Sequence, residues 1–179
     1  MSFQFINTDI EDLIIIKDHQ FQDDRGLYQK NFEHNIFLKQ GIDFKINESS
    51  DLYTNKGAIR GLHYQEPESQ AKLVRVVQGR VFDVVVDLRR DSKTFMKVFT
   101  IELDSKKGMS LLIPEGFAHG FLSLEDNTIF AYHCSGKYIP EQCGGLRWDD
   151  PKLNISWPIK ENGIEKLLIT DKDKSWNLL

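Results

Sequence analysis

Short apolar stretches with period-two alternation fill the middle of the chain. Lys72-Leu73-Val74-Arg75-Val76-Val77 leads into Gln78-Gly79, a turn pair, and residues 80–88 follow, rich in Val and Phe. This pattern predicts two strands joined by a tight turn at Gly79. Further strands are predicted at 97–103, 109–113, 120–124 and 128–134, separated by Asp/Ser/Lys/Gly or Glu/Asp/Asn clusters that carry turn chemistry. Short strands at spacings of about 8–12 residues point to a sandwich or barrel. Helical periodicity is confined to 33–40, closed by Gly41. Trp157-Pro158 and Asn162-Gly163 break the pattern near the end. No repeat, low-complexity stretch or linker divides the chain. The expectation is one mostly-β domain over 1–179, a jelly-roll β-barrel with a few short helices.

The alternation also places polar residues. Within 80–88, Val81, Asp83, Val85 and Asp87 share one face, and Phe82, Val84, Val86 and Leu88 share the other. In the preceding strand Lys72, Val74 and Val76 share a face. Lys72 and Asp83 therefore each interrupt an apolar row. Two readings are open. Each residue reaches water from near a strand end, or both belong to a polar constellation at the mouth of the barrel, where ligand sites of such folds lie.

Composition narrows the function classes. Lys+Arg 23 against Asp+Glu 27 gives a net charge of −4, with 40% hydrophobic and 28% charged residues, an ordinary globular balance. No basic footprint points to nucleic acid, and no apolar run approaches the length of a membrane span. The first residues carry neither a basic n-region nor an apolar h-region, so no secretion leader is read and the cytoplasm is the expected compartment. Two cysteines, Cys134 and Cys143, are too few for a disulfide scaffold, and their spacing fits no zinc motif.

Two segments are more specific than composition. Gly57, five residues, then His63 resembles the start of the first cupin motif. Gly108, five residues, then Pro114-Glu115-Gly116-Phe117-Ala118-His119 resembles the second. Metal-binding cupins continue the first motif as His-x-His with a carboxylate beyond. Here Gln65 stands at the second His, Ser69 and Gln70 stand at the carboxylate, and Ser123 departs from the later position in the second motif. Two His fall short of the three or four ligands a transition metal usually takes. The reading is a cupin-type jelly roll performing acid–base chemistry with no metal and no other cofactor. An isolated His is more often a hydrogen-bonded structural residue; one in each motif tilts the reading toward function.

A closer match follows. Arg60-Gly61-Leu62-His63-Tyr64-Gln65, Ala71-Lys72-Leu73-Val74 and Pro114-Glu115-Gly116-Phe117-Ala118-His119-Gly120-Phe121 together resemble the dTDP-4-dehydrorhamnose 3,5-epimerase family. Asp24-Arg25-Gly26, Phe82-Asp83-Val84-Val85-Val86-Asp87-Leu88-Arg89, Tyr132 with Tyr138, Trp148-Asp149-Asp150-Pro151, Ile155-Ser156-Trp157-Pro158 and Ile169-Thr170-Asp171-Lys172-Asp173 extend the resemblance in family order from about residue 20 to 173. It implies an isomerase acting on a nucleotide-linked 4-keto-6-deoxy sugar at C3, C5 or both, in unusual-sugar or surface-polysaccharide biosynthesis.

That chemistry asks for particular groups. The C–H bonds beside a C4 ketone are acidified, and epimerisation removes one such proton, passes through an enolate and returns a proton from the opposite face. A base, an acid across the ring and a donor at the oxyanion are needed. His63 is the candidate base, since imidazole titrates near neutrality. The resemblance gives it Asp173 as partner, with Asp171 the nearby rival; read alone, both are solvated charges. Tyr132 is the candidate acid, Lys72 the oxyanion stabiliser helped by His119, and Asp83 a support for either. Arg25, Arg60 and Lys172 match diphosphate-binding positions, where a guanidinium fork donates two bonds, and Tyr138 completes the family's tyrosine pair. The resemblance also implies a homodimer whose N-terminal strands reach into the partner.

Four positions depart from the family. Lys30 and Cys143 each stand where it has Glu, and Glu48 and Ser50 replace its Gln-x-Asn pair. All are expected near the nucleotide or outer sugar, which keeps the reaction type but leaves a GDP- or CDP-linked hexose or heptose open. A C3-only epimerase, a 3,4-ketoisomerase, a metal-dependent dioxygenase and a non-catalytic sugar-nucleotide-binding jelly roll are the rival readings.

Overall fold

The protein is described by a computed structural model covering residues 2–179. In chain order the elements are β1 (Gln4–Asn7), β2 (Ile14–Lys17), β3 (His19–Asp23), β4 (Gly26–Lys30), α1 (His34–Lys39), β5 (Glu48–Thr54), β6 (Ile59–Gln65) and β7 (Lys72–Gln78). They continue as β8 (Arg80–Asp87), β9 (Val98–Asp104), β10 (Met109–Ile113), β11 (Phe117–Ser123), β12 (Thr128–Cys134), β13 (Cys143–Gly145) and α2 (Asp171–Lys174). One sheet has the order β1-β2-β10-β7-β12-β5 and the other β13-β6-β11-β8-β9; β3 and β4 form a separate ribbon. This is the expected jelly-roll architecture, as two apposed sheets that are not closed into one hydrogen-bonded cylinder. Among the described residues no helix is long and apolar enough to cross a membrane.

The alternation explains the layering. The row Val74, Val76 on β7, with Leu111, Ile113 and Phe130, meets Val81, Val85, Phe117, Phe121 and Leu103 from the other sheet in one core cluster. The opposite row of β8, with Phe82, Val84 and Val86, is covered by Leu146, Leu153 and Trp157. Both faces of β8 are thus buried, which is why it reads as an almost continuous apolar run. The outer face of the larger sheet is capped in part by Phe37 of α1, packed with Phe3, Phe44, Ile16, Leu73 and Leu112.

The strands predicted at 109–113 and 128–134 match β10 and β12, and β11 begins three residues before the predicted 120. The turn at Gly79 is present, with φ of 83° and no room for a Cβ against Thr128. The two strands it joins do not pair with each other. β7 lies in the six-stranded sheet and β8 in the five-stranded one, so the turn carries the chain between layers. β7 is bonded instead to β10 and β12, and β8 to β9 and β11.

Asp87, at the end of the inward row of β8, shows what a buried carboxylate requires. Its oxygens accept from Arg89 Nε (3.0 Å) and Nη2 (2.9 Å), Ser92 Oγ (2.7 Å), Thr94 Oγ1 (2.7 Å) and the Arg89 N–H (3.0 Å). Burial pushes its pKa up, but these donors outweigh it and hold the carboxyl down at about 2. A depressed folded pKa means that the stabilisation is complete above the ordinary value of 3.8 and is lost as pH falls through about 2. Asp87→Asn should therefore cost about 2 kcal/mol at pH 7. Urea unfolding of both proteins across pH 7 to 2 checks this. A difference that does not shrink on acidification would contradict it.

Candidate active site

At one end of the sandwich a cleft of about 480 Å³ opens between the sheets, lined among others by Arg60, His63, Lys72, His119, Tyr132 and Asp173. Strand geometry puts them there. Lys72 and Tyr132 lie on the inward rows of β7 and β12, and His119 on β11 is the Cα partner of His63 on β6. The β6–β11 register shifts between His119 and Phe121, which pairs with Arg60. Residues three apart in a regular strand face opposite ways; this bulge turns both Arg60 and His63 into the cleft. The close approach demands glycine on both strands. A Cβ on Gly61, whose φ is 115°, would lie 2.7 Å from Gly120 Cα, and one on Gly120 would meet the Arg60 carbonyl at 2.7 Å.

The candidate base His63 and its candidate partner Asp173 meet across 110 residues. His63 Nε2 lies 2.6 Å from Asp173 Oδ1, and the Gly61 N–H points at the other carboxylate oxygen at 3.5 Å. Burial alone would raise the Asp173 pKa; the hydrogen bonds from His63, Gly61 and Thr170 overcome this and hold it below the ordinary value. With Nε2 donating to the carboxylate, Nδ1 keeps its lone pair and has no hydrogen-bond partner among the described residues. A second pair lies deeper. His119 Nε2 contacts both oxygens of Asp83, at 2.9 and 3.1 Å, with Asp83 fully buried. Burial raises the Asp83 carboxyl, opposed by His119 and Lys72.

Lys72 makes no hydrogen bond or ion pair with any described residue, and burial lowers its pKa, with nearby Asp83 among the opposing charges. Tyr132 stands edge-on to His119, ring centroids 5.6 Å apart. Burial, reinforced by the Asp83 charge, holds the Tyr132 phenol well above its ordinary pKa, so it carries its proton at neutral pH. Of the two readings of Lys72 and Asp83, the polar constellation holds. Asp83 is fully buried and bonded to His119, and Lys72 faces the cleft rather than bulk water.

Tyr138, Lys172, Glu48, Ser50 and Cys143 line the outer cleft. Glu48 accepts the Tyr138 backbone N–H at 2.8 Å and so fixes the loop carrying that exposed ring. Cys143 Sγ–H donates to the Ile139 carbonyl at 3.5 Å, Ser50 is the Cα partner of Tyr132, and Lys172 Nζ lies 5.7 Å from the Trp176 ring centroid. Arg25 and Lys30 are not brought to this cleft. Arg25 sits at the tip of the β3–β4 ribbon bonded to Asp23, and Lys30 donates to Glu33 at 2.8 Å. Asp171, the rival to Asp173, is exposed and bonded to Lys174.

Tyr64, Gln65, Gln70, Cys134 and Thr170 also line the cleft. Strand parity could have placed Cys134, two residues beyond Tyr132. Gln65 is saturated by backbone: its Nε2 donates to the Lys137 and Glu68 carbonyls and its Oε1 accepts from Ile139 N–H. Among the described residues no group of three or more His, Cys, Asp or Glu is placed to hold a metal ion.

Residues 7–179 match the family described as dTDP-4-dehydrorhamnose 3,5-epimerase. The chain belongs to that family. This epimerase family includes a protein of Methanothermobacter thermautotrophicus, named dTDP-4-dehydrorhamnose 3,5-epimerase, that is 39% identical over 99% of this chain and 95% of its own. The Bacillus anthracis epimerase, solved with TDP and pyrophosphate bound, superposes with a TM-score of 0.92 at 34% identity, covering 99% of each chain. A Legionella pneumophila epimerase solved with dTDP-4-keto-L-rhamnose superposes with a TM-score of 0.91 at 35% identity, covering 98% of this chain and 92% of its own. As an epimerase of this family, the protein is an isomerase acting on a nucleotide-linked 4-keto-6-deoxy sugar.

Proposed function

We propose that the protein epimerises a dTDP-linked 4-keto-6-deoxyhexose at C3 and C5, and that residues 1–179 form one catalytic unit. The observation that carries this is the His63–Asp173 pair at 2.6 Å in one cleft with Lys72 and Tyr132. His63 Nδ1 takes the proton beside the ketone while the Asp173 carboxylate stabilises the imidazolium. The enolate oxygen develops charge toward Lys72, with His119 beside it, held in orientation by Asp83. Tyr132 returns a proton to the opposite face of the ring. The reaction is redox-neutral and consists of proton transfers alone. Thymidine as the nucleoside is supported by the Bacillus and Legionella complexes, and Tyr138, Arg60 and Lys172 are the diphosphate and base contacts.

The homodimer belongs to the same proposal. A two-stranded ribbon is marginal by itself in water, yet β3–β4 bonds to neither sheet and exposes Phe21, Leu27 and Tyr28, each more than half accessible. Its docking on a second copy would cover these side chains and carry Arg25 and Lys30 toward that copy's cleft. The cytoplasm, where nucleotide sugars are made, is the proposed compartment.

Deuterium wash-in from heavy water, followed by proton NMR on a dTDP-4-keto-6-deoxy sugar, tests the reaction. Loss of both the C3 and C5 proton signals is expected from the wild-type protein. A shift of the carbonyl to C3 would mean a ketoisomerase instead, and no exchange at either carbon would sink the proposal. Tyr132→Phe should slow epimerisation by about 10²-fold or more while abstraction by His63 continues at one carbon. If it epimerises like wild type, another group is the acid.

A further inference from the structure

Asp173 sits on α2, a single turn of four residues. One turn has no stability of its own in water, yet its carboxylate is held 2.6 Å from an imidazole on another element. Something must hold the turn at both ends. On its N-terminal side Leu168 is bonded to the start of β6, with Leu168 N–H to the Gly57 carbonyl at 2.9 Å and Ile59 N–H to the Leu168 carbonyl at 3.1 Å. Thr170 Oγ1 then caps the turn by accepting the Asp173 N–H at 3.2 Å. On its C-terminal side the chain enters Trp176, whose indole lies flat against Gly145. A Cβ built on Gly145 would fall 2.3 Å from the ring. Gly145 is on β13, and its Cα partner is His63. One indole thus touches the strand residue paired with the base while continuing the chain that carries the base's partner. Three residues further on, Leu179 N–H donates to buried Asp150 at 2.6 Å, fastening the segment beyond the ring.

We infer that Trp176 is a positioning residue for the reaction: seated on Gly145, it sets the distance between Asp173 and His63. The inference rests on the catalytic reading of that pair. Gly145 is the matching half of the device, because any side chain there displaces the ring. The ring itself, rather than its N–H, does the positioning, since Nε1 is buried with no hydrogen-bond partner among the described residues.

The test is wash-in kinetics on the dTDP-4-keto sugar, with dTDP affinity measured separately by calorimetry. Trp176→Ala should slow exchange at saturating substrate about 10-fold or more, since misplacing a catalytic contact by an ångström is costly; any loss of dTDP affinity through Lys172, which the ring also contacts, is read separately in the calorimetry. Trp176→Phe, which keeps a flat ring, should stay within about two-fold of wild type. Gly145→Ala should reproduce the Trp176→Ala loss. In an Asp173→Asn background Trp176→Ala should cause no further loss, because a residue acting only through Asp173 has nothing left to position. If Trp176→Ala melts below the assay temperature, Trp176→Leu keeps apolar volume and reads the same quantity. Wild-type exchange rates in Trp176→Ala, or losses that multiply in the double variant, would overturn the inference. Absence of exchange in the wild type would instead overturn the catalytic reading beneath it.

Discussion

His63→Ala is expected to lower solvent-proton exchange at C3 and C5 by about 10⁴-fold, the upper end of what a positioned general base supplies. The reason is geometric. Within the cleft, His119 is already tied to Asp83 through Nε2, Lys72 is a cation acceptor of negative charge, and the Tyr132 phenol is held protonated by burial. No other lining group offers a free lone pair backed by a carboxylate. Asp173→Asn should fall between wild type and His63→Ala, because the amide preserves a contact to Nε2 but removes the charge that stabilises the imidazolium. The measurement is NMR wash-in with dTDP affinity checked in parallel. Exchange in His63→Ala within about ten-fold of wild type would assign the base elsewhere.

Lys72→Met should lower kcat by about 10²–10³-fold with little change in nucleotide affinity, as for loss of one preorganised oxyanion donor. Among the described residues Lys72 Nζ has no hydrogen-bond or ion-pair partner and it lines the cleft, so in the proposed mechanism its charge is available to the developing enolate. Its pH dependence has a definite sign. Burial holds the Lys72 pKa below its ordinary 10.5. The ammonium is present below the shifted value and lost as pH rises through it, so the alkaline fall of kcat begins before 10.5 and is absent from the residual activity of Lys72→Met. Lys72→Arg should not restore the rate, because a planar fork cannot take the place of a point charge on this inward row. Unchanged kcat in Lys72→Met would remove it from the mechanism.

Much of this site was readable in the sequence, and what was not has a physical cause. Lys72 and Asp83 stood out because period-two alternation put a charge into each of two apolar rows, where an isolated charge is costly. The partner of Lys72's strand was not readable. The turn at Gly79 looks local, and nothing within residues 72–88 shows that its arms enter different sheets. β5 and β6 escaped the strand pattern because Glu48-Ser49-Ser50-Asp51 is polar and the β6 bulge at Gly61 breaks alternation just before His63. Asp173 could be paired with His63 only through resemblance, since no periodicity spans 110 residues. The outward placement of Arg25 and Lys30 reflects a ribbon that bonds to neither sheet, a tertiary fact with no local signature.

The placement of Asp83 between Val81 and Val85, all three fully buried, has a consequence for how this enzyme can change. Its chemistry is set into the same rows that form the core. Replacing buried polar groups that satisfy only one another by apolar side chains of similar volume is often neutral or stabilising, by about 1–4 kcal/mol. Selection for thermal tolerance alone would therefore drive Asp83 and His119 toward Leu or Phe, and away from the chemistry of the cleft.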